Sequence, residues 1–461
     1  MLLKISVKNF KSFKNTVTLD LVSSTKVRSF EGHVVRFGEM KVLRNAVIYG
    51  ANASGKSNLH RALAFIQESL RLGALPLSAS GSYCKVGEDD GKNEESAFDV
   101  LFEIDGEFFD YGFSAILSTR SITSEWLYQL SLGKGGQWVQ QKVFERSGDD
   151  AAVLGEGLPI EPEDTYRFRL YADDFIGSPD RLFLTELNRG KRYASGSFFS
   201  LFERVHAFLT RGLRVIGAND HTPQTEIYLR SDQLEIISGL LSSFDTGIEE
   251  VKRVRISMAE LKELLPPPVF EQVRMILSEM LANNSKFNNI SIRVDNAYII
   301  VTSLKDEEPL VEKICLRHGD ARSTFEFAEE SDGTQRLFDF IDLLLTSDRN
   351  AVFVIDEINR SLHPMLTKHL ISTFNKVHAH DRVQLVCTTH EDSLMDLGLL
   401  RKDEIWFVDR KSGEGSRLYP LDAFRDVKTE TSVDKRYWDG RYGGIPVLDD
   451  PFLGDDLDAS A

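Results

Sequence analysis

The sequence is poor in cysteine, has no long apolar run and lacks a positive net charge. Its cysteines, Cys84, Cys315 and Cys387, are far apart and have neither disulfide nor metal-ligand spacing, so we expect a reducing, cytoplasmic environment. No apolar run approaches the roughly 20 residues of a membrane span. The N-terminus alternates apolar and polar residues, which indicates a strand rather than a signal peptide. A net charge of −16 argues against a protein that coats itself in nucleic acid non-specifically.

What remains is the composition of a globular protein. Hydrophobic residues make up 42% of the 461 positions, which predicts two or three domains with a sizeable core. Strand-like and helical patterns both occur, so we predict an α/β fold. We expect an N-terminal lobe with antiparallel strands over residues 1–160, a helical insertion over 161–290 and a second lobe over 291–430. A tail over 431–461 would follow, with a disordered acidic end from Asp449.

Two basic segments depart from the acidic balance. One contains Arg181, Arg189, Lys191, Arg192, Arg204, Arg211 and Arg214, and the other contains Lys252, Arg253 and Arg255. Each fits a solvated helix face whose charges form ion pairs, and each also fits a groove that binds phosphates. The sequence leaves both interpretations open.

A glycine-rich stretch near the start of the chain fits the pattern G-x-x-x-x-G-K-[ST] in full. An apolar strand precedes this stretch and a helix follows it, which is the context that the pattern requires. Backbone N–H groups of such a loop surround a phosphate. Lys56 would place a positive charge on the β- and γ-phosphates, and Ser57 would ligate Mg²⁺. The predicted phosphate-binding residues are Gly50, Asn52, Ala53, Ser54, Gly55, Lys56, Ser57 and Asn58.

A second apolar strand, over residues 351–355, ends in two carboxylates, Asp356 and Glu357. Ligands of α/β proteins bind at the carboxyl ends of parallel strands. Asp356 would hold Mg²⁺ there, and Glu357 is the candidate general base that orients the attacking water. Such a strand end could also be an ordinary exposed edge, but the glycine-rich stretch favours the functional interpretation.

Two further segments are ambiguous on their own. The segment ESDGT precedes a helix, where it offers N–H donors for an anion but equally fits an ordinary helix cap. Its candidate ligands are Ser331, Asp332, Gly333 and Thr334. His390 follows another apolar strand. At such a position a histidine is often only the polar residue that ends the strand.

The ordered set GANASGKSN, ESDGT, VIDEINRSLHP and TTH resembles the ABC-type ATPases of the SMC, RecF and OLD-like group. Within that group the chain is similar to stand-alone "AAA family ATPases" of bacterial anti-phage defence operons, such as the ATPase subunits of abortive-infection and PARIS-type systems. The opening LLKISVKNFKSF and the tail KRYWDGRYGGIP also resemble family segments, so the resemblance runs nearly end to end. It implies an ABC-ATPase-like P-loop head with a mixed sheet, ATP as nucleotide, and Mg²⁺ held by Ser57 and Asp356.

The resemblance also implies roles for other residues. Lys11 and Ser12 would lie near the base or ribose of the nucleotide. The segment 331–334 would act as the signature, which binds the γ-phosphate held by the opposite subunit, and residues 359–364 would occupy the place of the D-loop at the dimer interface. His390 would contact the γ-phosphate and the attacking water. No glutamine stands clearly at the Q-loop, and Gln129 is the candidate.

These roles imply a head-to-tail dimer that closes on two ATP molecules, with higher oligomers open. We expect a regulator of a separate effector, a nuclease or toxin from a neighbouring gene, with the insertion and the tail as partner surfaces. The chain after His390 is too short for the Toprim domain of OLD nucleases, and no membrane partner is expected. A DNA-repair or recombination ATPase that binds DNA through the insertion remains open, as does a scaffold with negligible turnover. A small-molecule kinase is disfavoured because it needs neither a signature nor a switch histidine.

Overall fold

A computed structural model describes residues 1–87, 91–133, 137–220, 231–282, 287–294, 297–304, 310–319, 321–425, 427 and 432–445. The chain divides into two compact units. The first consists of residues 1–217, 350–358 and 379 onward, and the second consists of residues 218–349 and 359–378. The predicted disorder from Asp449 concerns residues outside these ranges.

The strands of the described residues are, in chain order, β1 (Leu2–Lys8), β2 (Val17–Asp20), β3 (Val34–Phe37), β4 (Met40–Leu43), β5 (Asn45–Tyr49), β6 (Ser96–Ile104), β7 (Glu107–Ile116), β8 (Ser121–Leu132), β9 (Trp138–Ser147), β10 (Val153–Leu154), β11 (Leu213–Ile216), β12 (Ile248–Arg255), β13 (Phe287–Val294), β14 (Ala297–Leu304), β15 (Leu310–His318), β16 (Phe325–Glu326), β17 (Val352–Ile355), β18 (Gln384–Thr388), β19 (Ile405–Lys411) and β20 (Gly415–Pro420).

The α-helices of the same residues are α1 (Lys56–Leu72), α2 (Pro162–Asp173), α3 (Phe183–Asn188), α4 (Ser200–Ala207), α5 (Ser231–Ser243), α6 (Met258–Leu264), α7 (Pro267–Ala282), α8 (Asp332–Asp339), α9 (Ile341–Leu345), α10 (Pro364–Val377) and α11 (Val433–Trp438). A π-helical turn over Phe208–Gly212 follows α4. In the part of the chain that the structure describes, no helix has the length and apolarity needed to span a membrane.

A six-stranded sheet in the first unit brings the predicted phosphate loop and carboxylates to one edge. Its strand order is β11-β17-β18-β5-β19-β20, and all neighbouring pairs are parallel except β19 and β20. The strands β5, β17 and β18 are buried along their whole length, as is expected for a parallel sheet covered on both faces. Because parallel strands end at the same edge, Gly50, Asp356 and Thr389 follow β5, β17 and β18 there.

A seven-stranded sheet in the same unit supports the helix that follows the phosphate loop. Its order is β10-β9-β8-β7-β6-β1-β2, and each pair is antiparallel. Phe65 of α1 packs against Phe10 and Phe98, with ring centroids 5.4 and 4.9 Å apart. This aromatic contact fixes α1, and therefore the end of the phosphate loop, on a rigid sheet.

The second unit is built around a smaller antiparallel sheet. Its strand order is β12-β15-β14-β13, and the short β16 pairs with β15. Leu261 of α6 and Leu277 of α7 belong to a buried cluster with Ile299 and Val301 of β14. The helices α8, α9 and α10 belong to this unit as well.

The α/β fold class predicted from the sequence is confirmed, with a parallel sheet, an antiparallel sheet and helices in one chain. The compact units do not coincide with the predicted ranges. Residues 161–217 lie in the first unit because β11 pairs in parallel with β17, and the range 161–290 is not wholly helical because it contains β11 and β12. Hydrophobic periodicity identifies a strand but does not show which sheet a four-residue strand joins.

Candidate nucleotide-binding site

The loop between β5 and α1 is shaped by close backbone contacts at its two glycines. A β-carbon at Gly50 would clash with the Val408 carbonyl and lie 2.6 Å from Ser54 Oγ. Gly55 has φ +106°, and a β-carbon there would lie 2.6 Å from Ser416 Oγ. Gly55 also begins α1 without a side-chain capping bond, so no capping side chain fills the anion site at the start of this helix. The cradle fits a phosphate.

The other predicted loop residues line the same turn. Ala53 has φ +60°, in the left-handed region that lets successive N–H groups face one point. Asn52 and Ala53 are exposed, Ser57 is half-buried, and Ser54 is buried with its N–H donating to the Ala51 carbonyl at 3.2 Å. These positions leave the outer face of the loop accessible to a ligand.

Lys56, the first residue of α1, turns its side chain back over the loop. Its Nζ donates to the carbonyls of Gly50 and Ala51 at 2.5 and 2.9 Å and lies 3.4 Å from His390 Nδ1. Burial lowers the pKa of Lys56 to about 8, although Glu357 and Asp356 act in the opposite direction. A buried ammonium group whose partners are two carbonyls and an imidazole nitrogen is well suited to receive an anionic phosphate.

Asp356 and Glu357 follow β17 and share one threonine. Thr388 Oγ1 donates to Asp356 Oδ1 at 2.6 Å and accepts from the Glu357 N–H at 2.8 Å. The Asp356 N–H donates to the carbonyl of Ile216 on the neighbouring strand β11 at 2.9 Å. Glu357 has φ +51°, a left-handed backbone that is uncommon outside glycine and that clusters at functional sites. These bonds fix the Asp356 carboxylate and the backbone from which the Glu357 side chain extends.

His390 lies between the lysine and the glutamate. Its Nε2 is 3.8 Å from Glu357 Oε1, and both side chains are more than one third exposed. Burial and the Lys56 charge lower the pKa of His390, while Glu357 raises it. The lowered pKa favours the neutral imidazole at pH 7, which can accept one proton while it donates another. The structure thus brings Lys56, Glu357 and His390 together, and their roles in catalysis remain a prediction.

The donor set at this edge fits a magnesium ion that is completed by phosphate oxygens. Ser57 offers a hydroxyl and Asp356 a carboxylate, which are the oxygen ligands that Mg²⁺ prefers. Within the described ranges no group of three His, Cys, Asp or Glu side chains could hold a metal by itself. A site with few protein ligands is typical of Mg²⁺ that arrives with a nucleotide.

Ser12 packs directly against the phosphate loop, together with a serine that the sequence did not single out. Ser12 Oγ lies 2.6 Å from Ser416 Oγ and accepts from Asn58 Nδ2 at 2.7 Å. Ser416, on β20, donates to the Ser54 carbonyl at 2.5 Å. Ser416 was missed because its strand follows the sequence motifs by more than twenty residues and carries no motif of its own.

Lys11 belongs to a small cationic cluster beside this serine pair. It has φ +55°, and burial together with the charges of Arg61 and Lys85 lowers its pKa. Arg61 donates to Asn58 Oδ1 at 3.0 Å, so the cluster adjoins the start of α1. The structure therefore places Lys11 and Ser12 next to the loop, and their nucleotide contacts remain a prediction.

The predicted signature forms the start of α8 in the second unit. Ser331 caps the helix by accepting from the Thr334 N–H at 3.2 Å. A β-carbon at Gly333 would lie 2.8 Å from the Ser361 carbonyl, so only glycine lets this backbone approach. Asp332 and the other signature residues line a cavity of about 630 Å³ together with Ser361 and His363. The signature and the predicted D-loop therefore form one surface.

Three cations of the first basic segment form ion pairs. Arg181 and Lys191 contact Glu186 at 2.5 and 3.6 Å, and Arg204 contacts Glu107. The predicted Q-loop candidate Gln129 donates to Glu107 at 2.9 Å, on the antiparallel sheet. Ion pairs and hydrogen bonds within the fold therefore explain the positions of these residues.

A second group of basic residues in this segment faces one cavity. Arg71, Arg189, Arg211 and His206 line a space of about 490 Å³, and Glu203 lines it as well. Among the described residues, Arg189 and Arg211 make no ion pair. Arg71 donates to the Thr210 carbonyl at 2.6 Å, within the π-helical turn. In the second basic segment, Lys252 and Arg253 are paired with glutamates.

Comparison with known families gives one match in sequence. Residues 46–149 and 264–396, slightly more than half of the chain, match the family described as "AAA domain, putative AbiEii toxin, Type IV TA system". The matched ranges include the phosphate loop, the signature, both carboxylates and His390. No curated protein sequence matches the chain.

Solved structures with a similar course of the chain are SMC heads. The SMC head bound to the C-winged helix domain of ScpA is 15% identical, with a TM-score of 0.41 over 91% of this chain and 97% of that chain. The SMC head domain from Thermotoga maritima is 13% identical, with a TM-score of 0.35 over 91% and 98%. An SMC head with a coiled coil and joint derived from Pyrococcus yayanosii is 11% identical, with a TM-score of 0.37 over 95% and 99%. At these values the similarity supports no argument about function.

Proposed function

This chain belongs to the AAA domain family whose description names the AbiEii toxin and type IV toxin–antitoxin systems, and from that membership we propose that it is a cytoplasmic, Mg²⁺-dependent ATPase that works as a dimerising switch. The observation that carries the proposal is the cluster of Lys56, Glu357 and His390 at one edge of the parallel sheet. A phosphate-binding cation, a carboxylate base and a neutral imidazole are the groups that hydrolysis of a phosphoanhydride requires.

Each residue of the site has a separate role in the proposed hydrolysis of ATP. Backbone N–H groups of the loop and Lys56 bind the phosphates of ATP. Ser57 and Asp356 would hold Mg²⁺, which would supply positive charge to the phosphates when bound. Glu357 orients water and takes its proton, and the neutral His390 donates to the γ-phosphate. Thr388 holds the Asp356 carboxylate and the Glu357 backbone in place through its two hydrogen bonds.

Hydrolysis itself is tested by steady-state phosphate release from the purified chain. Lys56→Ala should abolish release because it removes the phosphate-binding charge, and Glu357→Gln should lower kcat by at least about 100-fold because it removes the base. Arg441→Ala, on an exposed turn of the same unit, is a control and should change neither value. Equal rates in the wild-type and Lys56→Ala proteins would instead favour a scaffold with negligible turnover.

The dimer is proposed because each chain presents two complementary half-sites. Ser331, Asp332, Gly333 and Thr334 form a cap with N–H donors but carry no phosphate loop of their own. We propose that this signature closes on the γ-phosphate held by a second copy of the chain, with the D-loop residues at the same interface, and that hydrolysis releases it. Higher oligomers could be built on this dimer.

Light scattering tests the dimer. Glu357→Gln with saturating ATP and Mg²⁺ should have twice the mass of the same protein with ADP. If the variant binds ATP and stays monomeric at micromolar concentrations, the switch is contradicted.

We further propose that the switch regulates a separate effector, a nuclease or toxin, in an anti-phage defence or toxin–antitoxin-like operon. The family description, which names a putative toxin and a type IV toxin–antitoxin system, supports a role in a pair of gene products. Purification of tagged Glu357→Gln protein expressed from its own locus tests this. A stoichiometric effector from the neighbouring gene, identified by mass spectrometry, is the expected outcome, and recovery of DNA without a protein would contradict it.

The cavity lined by arginines supports a second candidate function, that of a DNA-repair or recombination ATPase. Arg71, Arg189 and Arg211 could bind phosphates of a DNA backbone there. In fluorescence anisotropy, Arg189→Gln with Arg211→Gln should then weaken DNA binding about tenfold or more and flatten its salt dependence. The control is Arg181→Gln, whose charge is already paired with Glu186. Absence of DNA binding at low salt would exclude this candidate.

A further inference from the structure

The C-terminal segment, defined here as residues 432–444, consists of α11 and the turn that follows it. Its sequence, SVDKRYWDGRYGG, resembles no part of the phosphate-binding motifs. The structure nevertheless places it against two of the loops that carry reactive groups, and both contacts lie within the first unit.

The first contact is with the start of the phosphate loop. Gly444 has φ +70°, and a β-carbon there would lie 3.5 Å from Gly50 Cα and 3.2 Å from the Val408 carbonyl. Gly50 is also the residue whose carbonyl accepts from Lys56 Nζ at 2.5 Å. The backbone of Gly444 therefore supports the peptide that orients the phosphate-binding lysine.

The second contact is with the loop that carries the histidine. Trp438, the last residue of α11, donates its indole Nε1–H to Asp392 Oδ2 at 2.6 Å. Asp392 is two residues after His390 and begins a short 3₁₀ turn. Trp438 remains 61% exposed, so burial alone does not explain its position. A hydrogen bond to a carboxylate is a directional constraint on this loop.

An aromatic cluster makes the C-terminal segment rigid between these two contacts. The ring of Phe407, on β19, stacks on Tyr437 and on Tyr442, with centroids 5.7 and 5.5 Å apart. Tyr437 Oη donates to the Gly444 carbonyl at 2.8 Å, and Tyr419 Oη donates to the Tyr442 carbonyl at 2.6 Å. Both tyrosine rings of the segment are buried, so neither contact can shift without disturbing this packing.

We propose that the C-terminal segment is a positioning element of the ATPase reaction, which holds the Lys56 loop through Gly444 and the His390 loop through Trp438. It touches neither nucleotide nor water. The segment sets the distance between Lys56, which binds phosphate, and His390, which acts at the γ-phosphate. Small changes in this distance reduce the hydrolysis rate strongly. The inference rests on the proposed hydrolysis and adds residues that the sequence motifs do not contain.

The experiment is a kinetic comparison of wild type, Trp438→Phe, Asp392→Asn and the double variant. Trp438→Phe keeps an aromatic ring but removes the N–H donor, so kcat should fall about five- to tenfold while the Kd for ATP stays within about twofold. Asp392→Asn keeps an acceptor oxygen but loses its charge, so it should weaken the bond and give a smaller loss. The double variant should be no slower than Trp438→Phe, because that substitution already breaks the bond. Arg441→Ala, in the same segment, is the matched control.

The outcomes separate this proposal from the proposed function. If Lys56→Ala and Glu357→Gln abolish hydrolysis while Trp438→Phe keeps its kcat within about twofold of wild type, the C-terminal segment has no positioning role. Additive losses in the double variant would also overturn it, as would losses that simply follow a lowered Tm. If the wild-type protein releases no phosphate, both proposals fail together.

Gly444→Ala gives an independent test of the other contact. The added methyl group would press on Gly50 Cα, and the left-handed backbone would be strained. We expect this variant to weaken ATP binding, unlike Trp438→Phe, because it acts on the lysine loop. Gly440→Ala has a similar φ of +72° but contacts Ile445 instead, so it controls for backbone strain alone. Equal ATP affinities of the two glycine variants would contradict the contact.

Discussion

At the scale of single residues, Thr388 is the side chain on which the two site carboxylates most depend. Its hydroxyl is used twice, as a donor to Asp356 and as an acceptor from the Glu357 N–H. It is buried at the end of β18, where no water can replace these bonds. The motif TTH contains Thr388, but a sequence pattern does not show which of two adjacent threonines faces the neighbouring strand.

Thr388→Val should therefore lower kcat more than it lowers ATP affinity. Valine has the same shape but neither donates to the Asp356 carboxylate nor accepts from the Glu357 N–H, so the Asp356 carboxylate and the Glu357 backbone lose their fixed positions. We expect a loss of about 10- to 100-fold in kcat. Thr388→Ser keeps the hydroxyl and is the matched control, expected within a few-fold of wild type. A valine variant with wild-type kcat would show that the carboxylates are oriented by other contacts.

Asp110, on β7, supplies a pH dependence of stability that is separate from the site. Burial and the neighbouring Asp99 raise its pKa from 3.8 to about 8. Between these values the unfolded chain has lost the proton and the folded chain retains it. The free energy of unfolding therefore falls as the pH rises through this window, by at most about 1.4 kcal/mol per pH unit.

Asp110→Asn should remove this pH-dependent fall in the free energy of unfolding. We expect the variant to have a higher Tm than wild type at pH 8 and a similar Tm near pH 3, where the carboxyl group is protonated in both states. Thermal denaturation across this range is the measurement. Asp180→Asn, at an exposed position, is the control and should follow wild type at every pH. Parallel curves for wild type and Asp110→Asn would contradict the raised pKa.

At the scale of elements, the start of α8 requires glycine for a steric reason. Gly333→Ala would place a methyl group 2.8 Å from the Ser361 carbonyl and separate the signature from the predicted D-loop. We expect the variant to bind ATP as a monomer with unchanged affinity but to lose ATP-driven dimerisation, measured by calorimetry and light scattering. Gly239→Ala, in α5 of the same unit, meets no atom within 4 Å and should change neither property. A Gly333→Ala protein that dimerises normally would remove the signature from the interface.

The elements also show how far sequence reasoning reaches. The phosphate loop, the strand before Asp356 and the strand before His390 are strongly patterned locally, and the structure has β5, β17 and β18 at those places. The strand β11 and the contacts of Ser416 could not be predicted in the same way, because they depend on partners more than one hundred residues away. The same limit explains why the compact units differ from the predicted ranges, since a unit is defined by contacts and not by local composition.

At the scale of the whole molecule, the proposed dimer makes a prediction about mixtures. Lys56→Ala damages the phosphate loop, whereas Gly333→Ala damages the signature, so each variant alone should be inactive. In an equal mixture, half of the dimers contain one subunit of each variant. Each mixed dimer has one intact site out of two, so the mixture should recover about a quarter of the wild-type rate. Phosphate release is the measurement, and the unmixed variants at the same total concentration are the controls. A mixture that stays inactive would mean that the two half-sites do not meet across subunits.

The central position of β5 has a consequence for protein synthesis. Its neighbours in the sheet are β18, where Asn45 pairs with Leu385, and β19, where Val47 pairs with Ile405. The strand that leads into the phosphate loop thus leaves the ribosome several hundred residues before its partner strands. Long-range pairing of this kind forms late. A nascent polypeptide that already carries GANASGKS therefore cannot yet hold ATP, and translation that stops before the codon for Ile405 yields a chain without a working site.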